Sequence, residues 1–407
     1  MPSLSVQEKN DDNNESALLH QLRAAPQIFT EISQLTGSDL QRQKQLRKTY
    51  ADNLVRAALT LSELRQRAAK KFSQADKMWF DRKGLEQSTT EHVANYKAKR
   101  FSGTISDYCC GIGSDAIALS HKGDLLAVDL QPAACLRAEW NAKIYQTSLE
   151  TITADVTAFK HRGGLVHIDP DRRPHSSGKT VRVEDALPGL DFLQTLPRFF
   201  SGGAIKLSPA GNFAGKFLGV EHELISLSGE CKEATIWFGD LAGKHEWRAT
   251  ALSVSENNKI IEETISGDPL EAYVEVGAIK KYLYDPDPAL VRSALVNQFA
   301  EENHLSRLDD AEEYLTGETL LQSQFVAPFE VLAELPNNEK EIRRWFRQSE
   351  IGQVEIKCRH IPVKIEAIRK KLPLKGNQPG VLIFARIAGR ARALICRRIQ
   401  RSQIASY

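Results

Sequence analysis

Four aspartates stand at points where chemistry could be done. Asp107 precedes a glycine loop, Cys109-Cys110-Gly111-Ile112-Gly113-Ser114. Asp129 ends the apolar run LLAVD, Asp155 ends the segment 151–155, and Asp169 opens Asp169-Pro170-Asp171-Arg172-Arg173-Pro174. Gly111 and Gly113 permit a tight turn and close approach of backbone to a ligand. A phosphate-binding GxGxxG loop would carry a third glycine where Ala116 stands, a replacement that motif tolerates. The glycines alone therefore do not select a ligand. Asp129, beyond the loop at the end of the next apolar run, can accept both hydroxyls of a ribose, which fits either NAD or S-adenosylmethionine. Asp107 suits a cationic amino-acid end, and Asp155 or the amide of Val156 can meet an adenine ring. A dinucleotide needs neither, and its pyrophosphate would be repelled by Asp107 and Asp115. S-adenosylmethionine is the expected cofactor.

The Asp-Pro turn suggests the acceptor. An exocyclic amine on a base is a poor nucleophile because its lone pair is delocalised. A carboxylate and a proline-fixed carbonyl can accept its hydrogens and aim it for in-line attack on a methyl group. Asp169, Pro170 and Arg172 are the catalytic candidates, Arg172 because an arginine plane can stack on a base or bind a phosphate. A plain Asp-Pro turn paired with Arg172 or Arg173 is the alternative. Lys206 and Ser208, at the end of a later strand, can line the same pocket. His167 precedes the turn inside an apolar run and reads as a hydrogen-bonded core residue. The ten histidines form no metal cluster or nucleophile triad, so no metal is expected. The six cysteines form no CxxC pair.

The elements that would position these residues follow from periodicity. Residues 1–16 are polar and read as an unstructured tail. Region 17–100 starts with helical stripes, such as Leu54, Ala57, Ala58, Leu61 and Leu64. It ends in a connector carrying Met78, Trp79 and Phe80, placed to lie over a pocket. From 101 to 265 short apolar strands (105–110, 125–130, 165–169 and 203–207) alternate with helices at 114–121 and 132–145. That alternation predicts parallel βαβ units in an α/β doubly wound sheet. Further strands are expected at 223–227, 234–238 and 250–253. Segment 280–287 reads as a connection, and 280–407 as a small α+β domain.

Charge is divided along the chain. The formal sum is +2. Residues 340–407 carry 17 basic and 4 acidic side chains, net +13, and the remainder is net −11. Arg343, Arg344 and Arg347 form one cluster, Arg369, Lys370 and Lys371 a second, and Arg386 through Arg401 a third. Such clusters neutralise phosphates. Trp345 and Phe346 within the first cluster read as core rather than as stacking platforms. No apolar run is long enough for a membrane helix and the N-terminus lacks a signal-peptide pattern, so a reduced, cytoplasmic protein is expected.

The run DYCCGIGSD, VDLQP, TADV, HIDPDRRP and KLSP resembles, in that order, the class I S-adenosylmethionine-dependent methyltransferases. The upstream block KKFSQADKMWFDRKGLEQSTTEHVANYKAKRF and the downstream YLYDPDPALVRSAL, EIKCRHIPV and RIAGRARALICRR resemble bacterial members that carry a C-terminal THUMP-like domain. The resemblance spans roughly 70–407. It implies a Rossmann-like doubly wound sheet with an N-terminal helical region and a C-terminal small α+β domain. It also implies that Asp107, Gly111 and Gly113 contact the methionine part of the cofactor, Asp129 the ribose and Asp155 the adenine edge. The loop and the Asp-Pro turn are similar to those of the RNA-cap guanine-N2 methyltransferases, which have an aromatic residue after two prolines. Here Asp171 replaces the second proline and Arg172 the aromatic residue.

THUMP domains accompany RNA-modifying enzymes. The resulting expectation is methylation of a base, at an amino nitrogen, in structured tRNA or rRNA, with Arg369, Lys370 and Lys371 on the substrate. A small-molecule or protein methyltransferase, and a non-catalytic RNA-binding protein that retains a cofactor pocket, are the alternatives. A dinucleotide oxidoreductase comes last.

Overall fold

The computed structural model describes residues 6–172, 182–255, 257 and 259–400. The chain divides into two compact units, Met1–Val220 with Thr235–Gly243, and Glu221–Ala234 with Lys244–Tyr407.

The first unit opens with α1 (Val6–Ala24), α2 (Gln27–Gln34), α3 (Asp39–Leu46) and α4 (Asp52–Ala68). Helix α1 begins inside the segment expected to be an unstructured tail. Its later turns bury Leu19 and Leu22, and the polar stretch before them continues the same helix. The stripe of α4 buries Val55, Ala58, Leu61 and Leu64 in one core with Ile28, Leu46 and Trp79. Two short helices follow, α5 (Arg82–Gln87) and α6 (Glu91–Ala98). Asp81 starts α5 by accepting from the Gly84 amide at 2.7 Å.

The sheet of this unit is built from β1 (Gly103–Tyr108), β2 (Gly123–Asp129), β3 (Glu150–Thr153), β4 (Leu165–Ile168) and, after the two-residue pair β5 (Asp171–Arg172) and β6 (Ala186–Leu187), from β7 (Gly202–Leu207). Helices α7 (Ser114–Ser120) and α8 (Pro132–Ile144) are the crossovers, and α9 (Leu190–Leu193) precedes β7. These five strands run parallel to one another, in the order β7-β4-β1-β2-β3. The order reverses between β1 and β4, so the crevice beyond their carboxyl ends is where a ligand fits this topology. The register pairs Asp107 of β1 with His167 of β4, and Asp129 of β2 with Thr153 of β3. The expected α/β doubly wound arrangement is present.

The second unit contains β8 (Glu221–Leu227), part of β9 (Glu230–Gly239), β10 (Trp247–Val254) and β11 (Ile260–Gly267). Strand β10 runs parallel to β8 and antiparallel to β11. Next come β12 (Tyr282–Pro286), α10 (Pro288–Arg292), α11 (Val296–Glu302), β13 (Ser306–Arg307), β14 (Leu315–Gly317), β15 (Val326–Pro336), α12 (Glu339–Arg347), β16 (Ile351–Cys358), α13 (Ile365–Lys371), β17 (Gln378–Ile387) and β18 (Arg390–Arg398). Seven strands form one sheet, β13-β14-β12-β15-β18-β17-β16. Strand β12 corrects the reading of 280–287 as a connection. Its alternation is masked by Asp285 and Pro286, yet Leu283, Tyr284 and Asp285 are all buried between β14 and β15. Helices α10 and α11 are separated at Ala294, where φ is 59°, a left-handed backbone that interrupts a helix.

One face of this sheet carries Leu283, Tyr314, Phe329, Ile383 and Leu394. The other is packed by Ile342 and Phe346 of α12 and by Leu372, against Val354, Leu382 and Phe384. Trp345 lies partly buried on the same cluster, so both aromatics belong to the core. Among the described residues no helix is long and apolar enough to cross a membrane.

Phe346 is 1% exposed. Phe346→Ala is expected to cost about 3–5 kcal/mol through lost transfer energy and the cavity left behind. Urea unfolding followed by tryptophan fluorescence checks this; a loss below 1 kcal/mol contradicts the packing described.

Candidate functional site

The glycine loop leaves β1 through left-handed backbone at Cys109, Gly111 and Gly113, with φ of 58°, 54° and 83°. A Cβ on Gly113 would lie 2.8 Å from the Ala138 Cα, so only glycine lets α7 start this close to α8. A Cβ on Gly111 would meet nothing within 4 Å, so open space borders the loop there. Asn141, fully buried on α8, fixes the loop from behind. Its amide donates to Ile112 O at 2.9 Å and to Trp79 O at 3.0 Å, and its carbonyl accepts from Trp79 N at 2.8 Å. The loop and the connector that carries Trp79 thus share one side chain as anchor.

Asp129 closes the other side. Its carboxylate accepts from Gly111 N and Gln131 N, each at 2.9 Å. Burial pushes the Asp129 carboxyl up, and these amide bonds oppose the shift. Ala154 N donates to Asp129 O at 2.9 Å, which ties the end of β3 to the end of β2. Asp155 just beyond is exposed and accepts from Thr157 N and Oγ1 at 2.9 and 2.7 Å, while Val156 is buried. The Cys109 thiol is pushed well up by burial, and Asp129, Asp169, Asp107 and Asp171 add to the rise.

Asp169 follows β4, its amide donating to Tyr108 O at 3.2 Å. Burial raises its carboxyl, and Lys206, donating to Oδ2 at 2.6 Å, acts against the rise. Lys206, at the end of β7, also donates to Gln87 O at 3.3 Å. Gln87 Nε2 donates to Asp171 Oδ1 at 3.1 Å, and Lys83 pairs with the other oxygen of Asp171. Helix α5 therefore grips the Asp-Pro turn from the side. It can sit against the glycine loop because a Cβ on Gly84 would lie 2.5 Å from Ile112. Pro170 is buried. The side chains of Arg172 and Arg173 lie outside the described residues. Ser208 accepts from Ala210 N at 3.4 Å in the turn after β7.

Beneath the loop lies a buried charged cluster that sequence patterns did not reveal. His167 Nδ1 is 2.7 Å from Asp107 Oδ1, both side chains 1% exposed. Lys97 of α6 lies 2.9 Å from Asp115 Oδ1 and 3.3 Å from His167 Nε2. Thr89 donates to Asp115 Oδ2 at 2.6 Å. Asp107 Oδ2 is buried and has no hydrogen-bond partner among the described residues. Burial raises the Asp107 carboxyl, and His167 opposes the rise. Asp115 goes the other way: burial alone would raise it, but Lys97, His167, Lys206 and the Thr89 bond together hold it far below the usual range. Asp115 was expected to repel a pyrophosphate; it is instead compensated by Lys97. Only the helix-spaced Lys97 in KAKR could have signalled the cluster, and nothing in that pattern distinguishes a buried lysine from a surface one.

These features fit S-adenosylmethionine. A buried carboxylate oxygen lacking a donor can take an ammonium, the Asp129 carboxylate at a strand end can accept ribose hydroxyls, and open space borders Gly111. The second unit holds another polar group. Glu312, Glu313 and His360 each bring a ligand atom within 4.8 Å of one another. There Glu313 already pairs with His360 at 3.0 Å and with Arg359 at 3.6 Å.

The basic clusters are less free than their count suggests. Residues 280–407 together carry 21 basic and 16 acidic side chains, net +5. Arg369 donates to Val354 O at 2.9 Å, and Lys371 pairs with Glu339 at 2.8 Å; Lys370 is exposed. Arg392, Arg397 and Arg398 pair with Glu334, Glu330 and Glu355 at 2.6, 3.0 and 2.7 Å. Arg401 lies outside the described residues. Lys340, Arg343 and Arg347, one face of α12, line a surface depression with Asn338 and Glu339.

Residues 326–398 match the family model of the THUMP domain-like module. Over 352 residues, 82% of this chain and 94% of the relative, the sequence is 30% identical to a protein of Mycobacterium tuberculosis (strain CDC 1551 / Oshkosh) described as an uncharacterized S-adenosylmethionine-dependent methyltransferase. The same figures hold for its counterpart in strain ATCC 25618 / H37Rv. The crystal structure of a proposed methyltransferase from Porphyromonas gingivalis W83 has the same fold, with a TM-score of 0.73 and 18% identity over 95% of this chain and 99% of that one.

Asp115→Asn is expected to destabilise the protein by about 3–5 kcal/mol near neutral pH, since it leaves Lys97 buried and uncompensated. The depressed carboxyl contributes stability that is fully present above the unfolded value, about pH 4, and is lost as pH falls towards the folded value. The gap between wild type and variant in urea unfolding should therefore narrow steadily below about pH 4. A gap that is constant with pH contradicts the pairing.

Proposed function

The chain belongs to the S-adenosylmethionine-dependent methyltransferases, and from that premise we propose that it methylates a nitrogen of a base, most simply an amino nitrogen, in structured tRNA or rRNA. The observation that carries the reading is the Asp169–Lys206 pair at the Asp-Pro turn, next to the glycine loop. In this reading Asp107, Gly111 and Gly113 hold the methionine part of the cofactor, Asp129 the ribose, and Asp155 with Val156 the adenine. When bound, the cofactor supplies a methyl group on a positively charged sulfur. Every other task falls to the protein.

Lys206 holds one oxygen of Asp169 and keeps the carboxylate charged and oriented. The other oxygen accepts an N–H of the acceptor amine, and the carbonyl of Pro170 takes a second. This fixes the nitrogen's lone pair in line with the methyl group, the kind of positioning that removes much of a transfer barrier. Burial raises Asp169, which suits a carboxylate that accepts the proton released as the nitrogen is alkylated. Helix α5, through Gln87 and Lys83, holds the turn still while this happens. In the second unit, Lys370 and the Lys340, Arg343 and Arg347 face of α12 serve the phosphates, with Arg369 and Lys371 beside them. The THUMP-like module supports RNA as the partner.

One observation favours a second reading, a small-molecule or protein substrate. The C-terminal region nets only +5, and several of its arginines are engaged internally. Salt dependence separates the two. Affinity for total tRNA should fall at least tenfold between 50 and 200 mM salt, and charge reversal at Lys340, Arg343 and Arg347, or at Arg369, Lys370 and Lys371, should flatten that slope. A flat wild-type curve excludes RNA.

Cofactor and acceptor roles are tested separately. Isothermal titration with S-adenosylhomocysteine should show binding that Asp129→Ala abolishes. Asp169→Ala and Lys206→Met should lower kcat for tritium transfer from labelled cofactor to total RNA by about 10²–10⁴-fold and by a smaller factor, respectively. Cofactor affinity should stay within threefold in both. A loss of cofactor binding in Asp169→Ala would remove that residue from the acceptor side.

A further inference from the structure

We propose that Lys97 and His167 form a relay that holds Asp107 in the orientation and charge state needed to bind the ammonium of the cofactor. This rests on the reading above that Asp107 meets the methionine end. The direction of the relay follows from donor counts. A lysine ammonium has donors only, so at 3.3 Å it must donate to His167 Nε2. Nε2 is then the acceptor nitrogen of the ring, and the ring proton resides on Nδ1. From there it is donated to Asp107 Oδ1 at 2.7 Å. Asp115, 2.9 Å from the ammonium and fixed by Thr89, anchors the far end.

Each link serves Asp107. One oxygen is occupied by His167, which sets the carboxyl plane and leaves Oδ2 as the one oxygen without a donor. Burial favours a protonated carboxyl, and a hydrogen bond from His167 polarised by Lys97 favours the anion. An anionic Asp107 attracts an ammonium far more strongly than a neutral one. Lys97 lies on α6, upstream of the sheet, so the helical region before β1 contributes to cofactor selection as well as to packing. Phe101 meets the His167 ring edge to face, with the ring centroids 6.5 Å apart. His167 is thus a positioning residue and not a base that touches substrate.

The test uses two ligands that differ at the proposed contact. S-adenosylhomocysteine carries the amino-acid ammonium; 5′-methylthioadenosine has the same nucleoside without it. Calorimetry on the full chain should show His167→Phe and Lys97→Met weakening S-adenosylhomocysteine about tenfold or more. Affinity for 5′-methylthioadenosine should stay within twofold. His167→Asn, whose amide nitrogen occupies the place of Nδ1, should keep S-adenosylhomocysteine within threefold of wild type. Equal weakening of both ligands, or no weakening of either, overturns the relay. A wild type that binds neither ligand overturns the cofactor reading itself and the relay with it. Because Lys97→Met leaves Asp115 unpaired and can fail to fold, nitrogen-15 spectra of the histidine-labelled wild type give an independent readout. The His167 signal, identified by its loss in His167→Asn, should report a ring protonated on Nδ1. A ring protonated on Nε2 overturns the proposal.

Discussion

A lysine ammonium cannot be buried in a protein interior without an anion beside it, and Lys97 is 2% exposed. That requirement organises the candidate site. Asp115 on α7 supplies the anion, His167 on β4 spans to Asp107 on β1, and Thr89 closes the remaining oxygen of Asp115. Five segments of chain meet there: the loop before α6, α6 itself, the first turn of α7, and strands β1 and β4. Asn141 does comparable work with neutral groups, holding Ile112 and Trp79 together. The glycine loop is therefore supported from below by charge and from behind by an amide. Side chains held on strands and helices in this way give a site its precision.

The proposed acceptor side has a different logic. Asp169 has 32% of its side chain exposed, and its partner Lys206 has 12%. An ion pair at that depth keeps attraction without the full penalty of burial, and it leaves one carboxylate oxygen available. Helix α5 secures the same turn through Gln87 and through the pair of Lys83 with Asp171. The proposed cofactor and acceptor positions thus both depend on residues that precede the sheet, from α5 and α6. The N-terminal region is accordingly part of the site's framework as well as a helical cap on the sheet.

Much of this was legible in the sequence, for physical reasons that also explain the rest. Strands β1, β2, β4 and β7 are short, largely buried runs with Asp107, Asp129, Asp169 and Lys206 at or just beyond their carboxyl ends, and a parallel sheet buried on both faces leaves that trace. Gly113 could be read as a special backbone position because no other residue tolerates its φ against Ala138. Strand β12 could not, since its carboxyl end carries buried Asp285, ion-paired with Lys357 and Arg359, where an apolar residue would be expected. Lys97, Asn141 and Gln87 were missed because their importance lies in partners far away in sequence. The +13 of residues 340–407 was a correct count with an incomplete neighbourhood: Glu330, Glu334 and Glu339 precede that segment and face its arginines and lysines. A charge count taken over a whole folded domain is the better guide to what it attracts.

The central claim is methyl transfer to RNA, and it is most directly tested by mass spectrometry of nucleosides. Total tRNA and rRNA from a strain lacking this gene should lack one methylated nucleoside present in its parent, and the purified protein with S-adenosylmethionine should restore it in vitro. Identical nucleoside profiles in the two strains, with no methyl group incorporated into the RNA of the deletion strain, would contradict the account.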